Sequence, residues 1–388
     1  MTVGWARAGA ASSILACAAL TISAARVARA ESPAPVVVTA DVGPADRGSY
    51  PLVFLFQGDA VVESVPSGPG PPTADDPAGG SHLRVRRLRV GEDVAHGPFR
   101  ARAILEAQSR DETFAPVDGG RIPGTNFLRL TEAFGAFRPH RAFEVDVGAQ
   151  RVSYSLSRQV DELDLRMPER AQAVVALAPD YRTGAAVTSD LGLFDLRVAG
   201  MSADRSFDGD LFSSGWFVAA RLASEPVGPM GVAPWRRPPT DPWYGWWRFS
   251  AGVSVLYGTL LAPRTLALGG DAQFQWRRLT VTGEYLGQHL PDGAGWAYQG
   301  AVLEPGVYLI EERLELVARG SWYRQPAPPT PLSMPSDADT LAAGGALTFF
   351  AREGHVRVQA GFEVRHTLDD RPRPSDAGWG IIRLSLAL

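Results

Sequence analysis

The sequence predicts an all-β chain, a transmembrane antiparallel β-barrel of about sixteen strands with long loops at one end and mostly short turns at the other. Three observations predict it. Apolar and polar side chains alternate residue by residue in segment after segment, the connections between segments are long and short in turn, and no apolar run beyond the N-terminus is long enough to cross a membrane as a helix.

The alternation is plain in ERLELVARGSW, where Arg313, Glu315 and Arg319 stand on one side and Leu314, Leu316, Ala318 and Trp322 on the other. In FRARAILEA, Phe99, Ala101, Ala103 and Leu105 oppose Arg100, Arg102 and Glu106; in RAFEVDVG, Phe143, Val145 and Val147 oppose Glu144 and Asp146. LTVTGEY (279–285) and VRVQAGFEVRH (356–366) repeat the pattern. LRVRRLRV breaks phase between Arg86 and Arg87, which predicts a β-bulge.

Long connections rich in Pro, Gly and Asp fall near 66–81, 109–124, 152–181, 204–211, 259–263, 289–295, 325–338 and 367–377. Between them the sequence predicts tight reversals at Ala95–Pro98, Arg138–His140, Asp190–Gly192, Arg277–Arg278, Glu311–Glu312 and Arg352–Gly354. The stretch 224–243 breaks the rule by being long where a short turn belongs. Trp235, Trp243, Tyr244, Trp246 and Trp247 crowd it and the strand that follows, as amphipathic rings do at a bilayer interface; packing of the proline-rich turn is the other reading. A β-sandwich would also write two-faced strands, but would not sort long loops to one end and short turns to the other.

Residues 1–30 read as a secretory signal: Arg7 in a short basic start, a small apolar run to about Ala25, and Ala28-Arg29-Ala30 as a cleavage site. Residues 31–49 form a short polar lead, and 50–388 the barrel. The single cysteine, Cys17, lies inside the signal, where Ile14-Leu15-Ala16-Cys17 also fits a lipoprotein cleavage box. Cleavage after Ala30 removes three arginines and no acid, taking the net charge from −4 to −7. A balance of 38 basic against 42 acidic residues argues against binding to nucleic acid, which lives on phosphate attraction. All the basic residues are arginine.

No metalloprotease, P-loop or nucleophile-elbow motif occurs, and the histidines His82, His96, His140, His289, His355 and His366 lack ligand spacing. The sequence therefore predicts no enzyme, no metal site and no cofactor. The charge on the wet face stands out instead. Arg84, Arg86, Arg100, Arg102, Arg197, Arg277, Arg278, Arg313, Arg319, Arg357, Arg365 and Arg383 are expected to line the lumen wall. Glu106, Glu144, Asp146, Asp195, Asp271, Glu284, Glu315 and Glu363 are expected with them. Such a set either lowers the barrier to anions or simply pairs across strands. The third long connection is dense in charge: Arg158, Asp161, Glu162, Asp164, Arg166, Glu169, Arg170 and Arg182. Folded inward it would form a constriction.

At this loop the chain resembles the phosphate-selective porin O and P family. VDVGAQRVSYSLSR is similar to that family's "VGxFKxPFSxE" strand end through Val147, Gly148, Arg151, Tyr154 and Ser155, with Ser153 in place of its proline. MPERAQAVVALAPDYRTG is similar to "MERALP…APxRxxG" through Met167, Glu169, Arg170, Ala171, Pro179, Arg182 and Gly184. LRVRRLRVG, LGGDAQFQWRRLTVTGEY, GHVRVQAGFEVR and the closing IIRLSLAL extend the likeness over most of 83–388. Leu388 stands where such barrels usually close on an aromatic residue, and no lysine is present. The resemblance implies a sixteen-stranded, trimeric outer-membrane channel in lipid and lipopolysaccharide, narrowed by its third loop and passing small anionic solutes such as phosphate. A plugged structural or adhesive surface barrel is the alternative. For the N-terminus, intact-mass measurement of the exported chain is expected to give a species beginning at Glu31; one beginning at a lipidated Cys17 would establish the lipoprotein reading.

Overall fold

The computed structural model describes residues 52–64, 81–108, 127–140, 142–160, 165–203, 215–224, 247–259, 264–290, 295–310, 313–325, 338–351, 356–368 and 375–387. Sixteen antiparallel strands close into one barrel in chain order, β1 pairing with β16. They are β1 (Leu52–Ser64), β2 (Ser81–His96), β3 (Phe99–Gln108), β4 (Phe127–His140), β5 (Phe143–Arg151) and β6 (Tyr181–Asp190). Then follow β7 (Phe194–Ser202), β8 (Trp216–Ser224), β9 (Trp247–Gly258), β10 (Thr265–Trp276) and β11 (Leu279–Leu290). The circuit ends with β12 (Gly295–Ile310), β13 (Leu314–Gln325), β14 (Ala338–Ala351), β15 (Val356–Leu368) and β16 (Ser375–Ala387). Two short helices, α1 (Leu156–Gln159) and α2 (Gln172–Leu177), lie between β5 and β6.

Closure follows from the edge problem: an open sheet in hydrocarbon would leave a row of unpaired N–H and C=O groups, each costing several kcal/mol. Here β1 and β16 pair from Leu55–Ala387 to Ser64–Gly378, so the seam is as fully bonded as the other pairings. In β13 the expected alternation holds. Glu315, Val317 and Arg319 are buried toward the lumen, whereas Leu316 is 45% exposed on the outside. The outer surface carries Leu, Val and Phe around the circuit, and a belt of exposed aromatics rings the short-turn end: Phe99, Phe137, Phe143, Phe194, Trp247, Trp276 and Phe349. This is the surface that an apolar bilayer core with an amphipathic boundary demands.

The predicted bulge is present. Gln57 pairs with Arg87 and Gly58 with Val85, so Arg86 is the extra residue of the bulge and Arg86 and Arg87 both turn inward. The reversal expected at Arg138–His140 falls later, because β4 continues to His140 and β5 begins at Phe143. Arg277, at φ 52°, and Arg313 sit exposed at the short-turn rim rather than on the wall. The signal and polar lead, the tryptophan-rich stretch 225–246, the turns at 311–312 and 352–355, and the side chain of Arg84 lie outside the described residues.

Depth along the strand sets the cost of a charge on the outer face. Phe362, midway along β15 and exposed, is expected to lose about 2–4 kcal/mol on Phe362→Arg, and Leu316→Arg, three residues into β13, only about 0–1 kcal/mol. Urea titration of the chain folded into bilayers checks the gradient.

Candidate functional site: the lumen and its third loop

The third loop leaves β5 after Arg151 and returns at Tyr181. Ser155 caps α1, its side chain accepting from the Arg158 N–H at 3.2 Å. The loop then crosses to the far wall. Ser157 donates through Oγ to Glu284 of β11 at 2.5 Å. The carbonyl of Leu165 accepts from Arg357 of β15, and that of Arg166 accepts from Gln359 at 2.7 Å. The Arg166 guanidinium lies against three strands at once: it pairs with Glu315 of β13 at 2.8 Å, donates to the Glu304 carbonyl of β12 at 2.9 Å, and donates to Thr280 of β11. Glu169 is clamped between Arg86 of β2 at 2.8 Å and Arg383 of β16 at 2.7 Å. Thus the bulge that turns Arg86 inward supplies half of the clamp.

Arg170 brings the chain back, donating to the carbonyls of Ser157 at 3.0 Å and Val160 at 2.8 Å. Arg158 ties the outgoing half to the returning half through the carbonyls of Ala178 and Val175 and an ion pair with Asp180 at 3.4 Å. Arg182 donates to the Tyr181 carbonyl at 2.8 Å. The expected constriction residues Arg158, Arg166, Glu169 and Arg170 are therefore brought into one loop and buried in bonds that hold its shape. Asp161, Glu162 and Asp164 lie outside the described residues.

Apolar packing completes the dock. Ala173, Val174 and Leu177 of α2 join Val152 and Tyr154 in a cluster with Ala186, Ala199, Met201, Phe217, Ala219, Leu256, Ala267 and Leu286 of the wall. Under the loop these inward positions of β6 to β11 are apolar, a local departure from the wet lumen the alternation predicts: the loop covers them, so they meet side chains instead of water. Burial, with the Glu284 carboxylate nearby, pushes the Tyr154 phenol well above its usual range, and its hydroxyl has no hydrogen-bond partner among the described residues.

The wall charges fall into two groups. Arg319, Arg357, Arg365 and Arg383 belong to a tightly packed network on β13 to β16 and β1. Arg319 pairs with Glu304 at 2.7 Å and Glu363 at 3.2 Å, Arg365 with Glu363 at 2.8 Å, and Arg383 bidentately with Asp59 at 2.7 and 2.8 Å. Arg100, Arg102 and Arg197, on β3 and β7, pair with Asp93, Glu132 and Asp146 but remain accessible. Sequence reasoning missed Arg87 and Arg89, which share Glu106, and Arg221, which pairs with Asp271 at 2.5 Å. Continuing the alternation past the bulge would have found the first two. Arg221 follows Phe217 and Ala219 on the inner face, so its segment carries no polar stripe to read. No group of three or more His, Cys, Asp or Glu among the described residues is placed to hold a metal ion.

No family model matches the chain, and no curated protein matches it in sequence. Solved structures match in fold. The outer-membrane channel DcaP of Acinetobacter baumannii superposes with a TM-score of 0.54 at 11% identity, over 90% of this chain and 100% of that one. OmpF of Salmonella typhi in complex with daunomycin gives 0.55 at 11% identity, over 88% and 98%. An anion-selective porin from Comamonas acidovorans gives 0.53 at 12% identity, over 88% and 100%. At such identities the likeness is one of architecture: the chain has the sixteen-stranded barrel fold of bacterial outer-membrane porins.

Arg383 joins the closing seam to the loop, and removing it takes a counter-ion from two carboxylates. Arg383→Met is expected to cost about 3–5 kcal/mol, because buried Asp59 then loses its bidentate partner and Glu169 loses one side of its clamp, keeping Arg86. The Asp59→Asn/Arg383→Met double variant, which leaves the Arg86–Glu169 pair in place, should recover much of that loss in the same urea titration.

Proposed function

We propose that the chain is a non-enzymatic outer-membrane porin for passive diffusion of small solutes, with a mild preference for anions such as phosphate, acting as a homotrimer in lipid and lipopolysaccharide. The observation that carries this reading is how the ion pairs of β2 to β7 meet solvent. In each, the guanidinium is the more exposed partner: Arg100 at 41% against 17% for Asp93, Arg102 at 21% against 9% for Glu132, and Arg197 at 24% against 2% for Asp146. The pairs balance in formal charge, yet a solute on this wall meets arginine edges first, with the carboxylates withdrawn behind them. Fixed cationic edges lower the barrier to anions, and the partial neutralisation keeps the preference mild.

The loop arginines take a different part. Arg158, Arg166 and Arg170 are engaged by carbonyls and carboxylates, so we assign them the size of the constriction and assign its sign to the accessible wall arginines. Phosphate is named on the strength of the loop motifs that resemble porins O and P, and anion preference has a counterpart of the same fold in the Comamonas acidovorans porin. The trimer rests on the same resemblance, and the outer-membrane location on the barrel fold with the predicted export signal. A second reading, a plugged structural or adhesive barrel, draws support from the reach of the third loop, which bonds to strands from β11 round to β2.

Planar-bilayer recording separates the two. The refolded mature chain is expected to give discrete conductance steps and, in a salt gradient, a reversal potential on the anion side. The Arg100→Gln/Arg102→Gln/Arg197→Gln variant should move that potential toward cations with the barrel still folded by heat-modifiable mobility. A folded wild-type barrel that passes no current would establish the plugged reading, and an unchanged reversal potential would remove these arginines from the pathway.

A further inference from the structure

At three points where the third loop touches the far wall, the wall residue is glycine. Gly300 and Gly306 of β12 and Gly361 of β15 occupy lumen-facing positions of their strands, in phase with the buried Val302, Tyr308, Gln359 and Glu363. A β-carbon on Gly361 would stand 2.7 Å from both Cγ and Cδ of Pro168. On Gly300 it would stand 2.5 Å from the Ala173 Cβ and 3.2 Å from the Leu177 Cδ1; on Gly306 it would overlap the Arg166 guanidinium. Real β-carbons essentially never approach a neighbour within 3.0 Å, so each added carbon forces a movement.

The carbon neighbours nearest Gly361 and Gly300, Pro168 and Ala173, cannot step aside by a change of rotamer. The Pro168 ring is rigid and the carbonyl of the same residue is held by Arg383. The Ala173 Cβ moves only with the backbone of α2. The Arg166 tip is fixed by Glu315, Thr280 and the Glu304 carbonyl. The wall cannot yield either, since β12 and β15 are bonded to a strand on each side. Outward-facing Gly270 and Gly320 differ: nothing lies within 4 Å of a carbon added at either.

We infer that Gly300, Gly306 and Gly361 are sockets that set how close the third loop lies to the β12–β15 wall, and thereby fix the bore of the channel. They are positioning residues for permeation located in the barrel rather than in the loop. The inference rests on the porin reading above. A carbon added at a socket pushes the loop in the one direction open to it, toward the lumen, so the passage narrows.

Single-channel conductance of the refolded full-length mature chain tests this, with heat-modifiable mobility reporting the fold. Gly300→Ala and Gly361→Ala are each expected to lower conductance, and the double variant to lower it roughly twofold, while Gly270→Ala and Gly320→Ala keep the wild-type value. Pro168→Gly placed on Gly361→Ala removes the opposing ring and should restore conductance, a rescue that a general weakening of the barrel would not give. It also reads the same contact should Gly361→Ala alone fail to fold. Wild-type conductance in the folded socket variants, or no rescue by Pro168→Gly, would overturn the inference. A wild-type barrel without current fails differently: it overturns the porin reading and this one with it.

Discussion

Every backbone N–H and C=O that crosses a bilayer must find its partner within the protein, because hydrocarbon offers none. The rest of the molecule depends on that constraint. It requires the seam between β1 and β16, and the seam makes the sheet a wall with an inside and an outside. Once closed, the wall sorts its side chains by parity: apolar residues outward, and on the inner face arginines and carboxylates that pair across strands. Sixteen strands enclose more space than wall side chains can fill, which leaves room for a loop to fold inside. The third loop is that loop.

The loop is held by means that suit a site withdrawn from water. Charges taken out of solvent must be paired or bonded, and the arginines of both loop and wall obey this. Arg166 satisfies three strands, Arg383 joins the seam to Glu169, and Arg158 closes the loop on itself. Ion pairing fixes position more than it adds stability, since desolvation offsets much of the attraction. The apolar contact of α2 with Phe217, Leu256 and Leu286 supplies adhesion of the ordinary hydrophobic kind. The result is an asymmetric lumen, with the loop packed on the wall from β11 round to β2 and accessible arginine edges on β3 and β7.

That asymmetry explains which parts of the site could be read in advance. Arg319, Arg357 and Glu315 were legible because each sits in a strand with one apolar face and one charged face. Phe217 and Leu256 were not: they are apolar residues at inward positions of β8 and β9, and only the loop packed over them explains why a lumen position there is apolar. Gly300, Gly306 and Gly361 were silent for another reason. A glycine on a strand can mark weakness, a bulge or a close approach, and only the presence of Pro168, Ala173 and Arg166 opposite them selects the third.

The sequence by itself determined the barrel, its strand number, the sorting of loops and turns, the two-faced character of the strands, and the bulge at Arg86. All of these are local: parity, turn chemistry and phase are properties of residues near one another in the chain. Tertiary structure alone decided which arginine meets which carboxylate, since partners such as Arg166 and Glu315 or Asp59 and Arg383 are brought together only when the sheet closes and the loop folds in. It also decided that the loop arginines are anchors while the wall arginines of β3 and β7 face the water. The reason is physical: a guanidinium's role depends on how much solvent and which carboxylate surround it, and neither is a property of its neighbours in sequence.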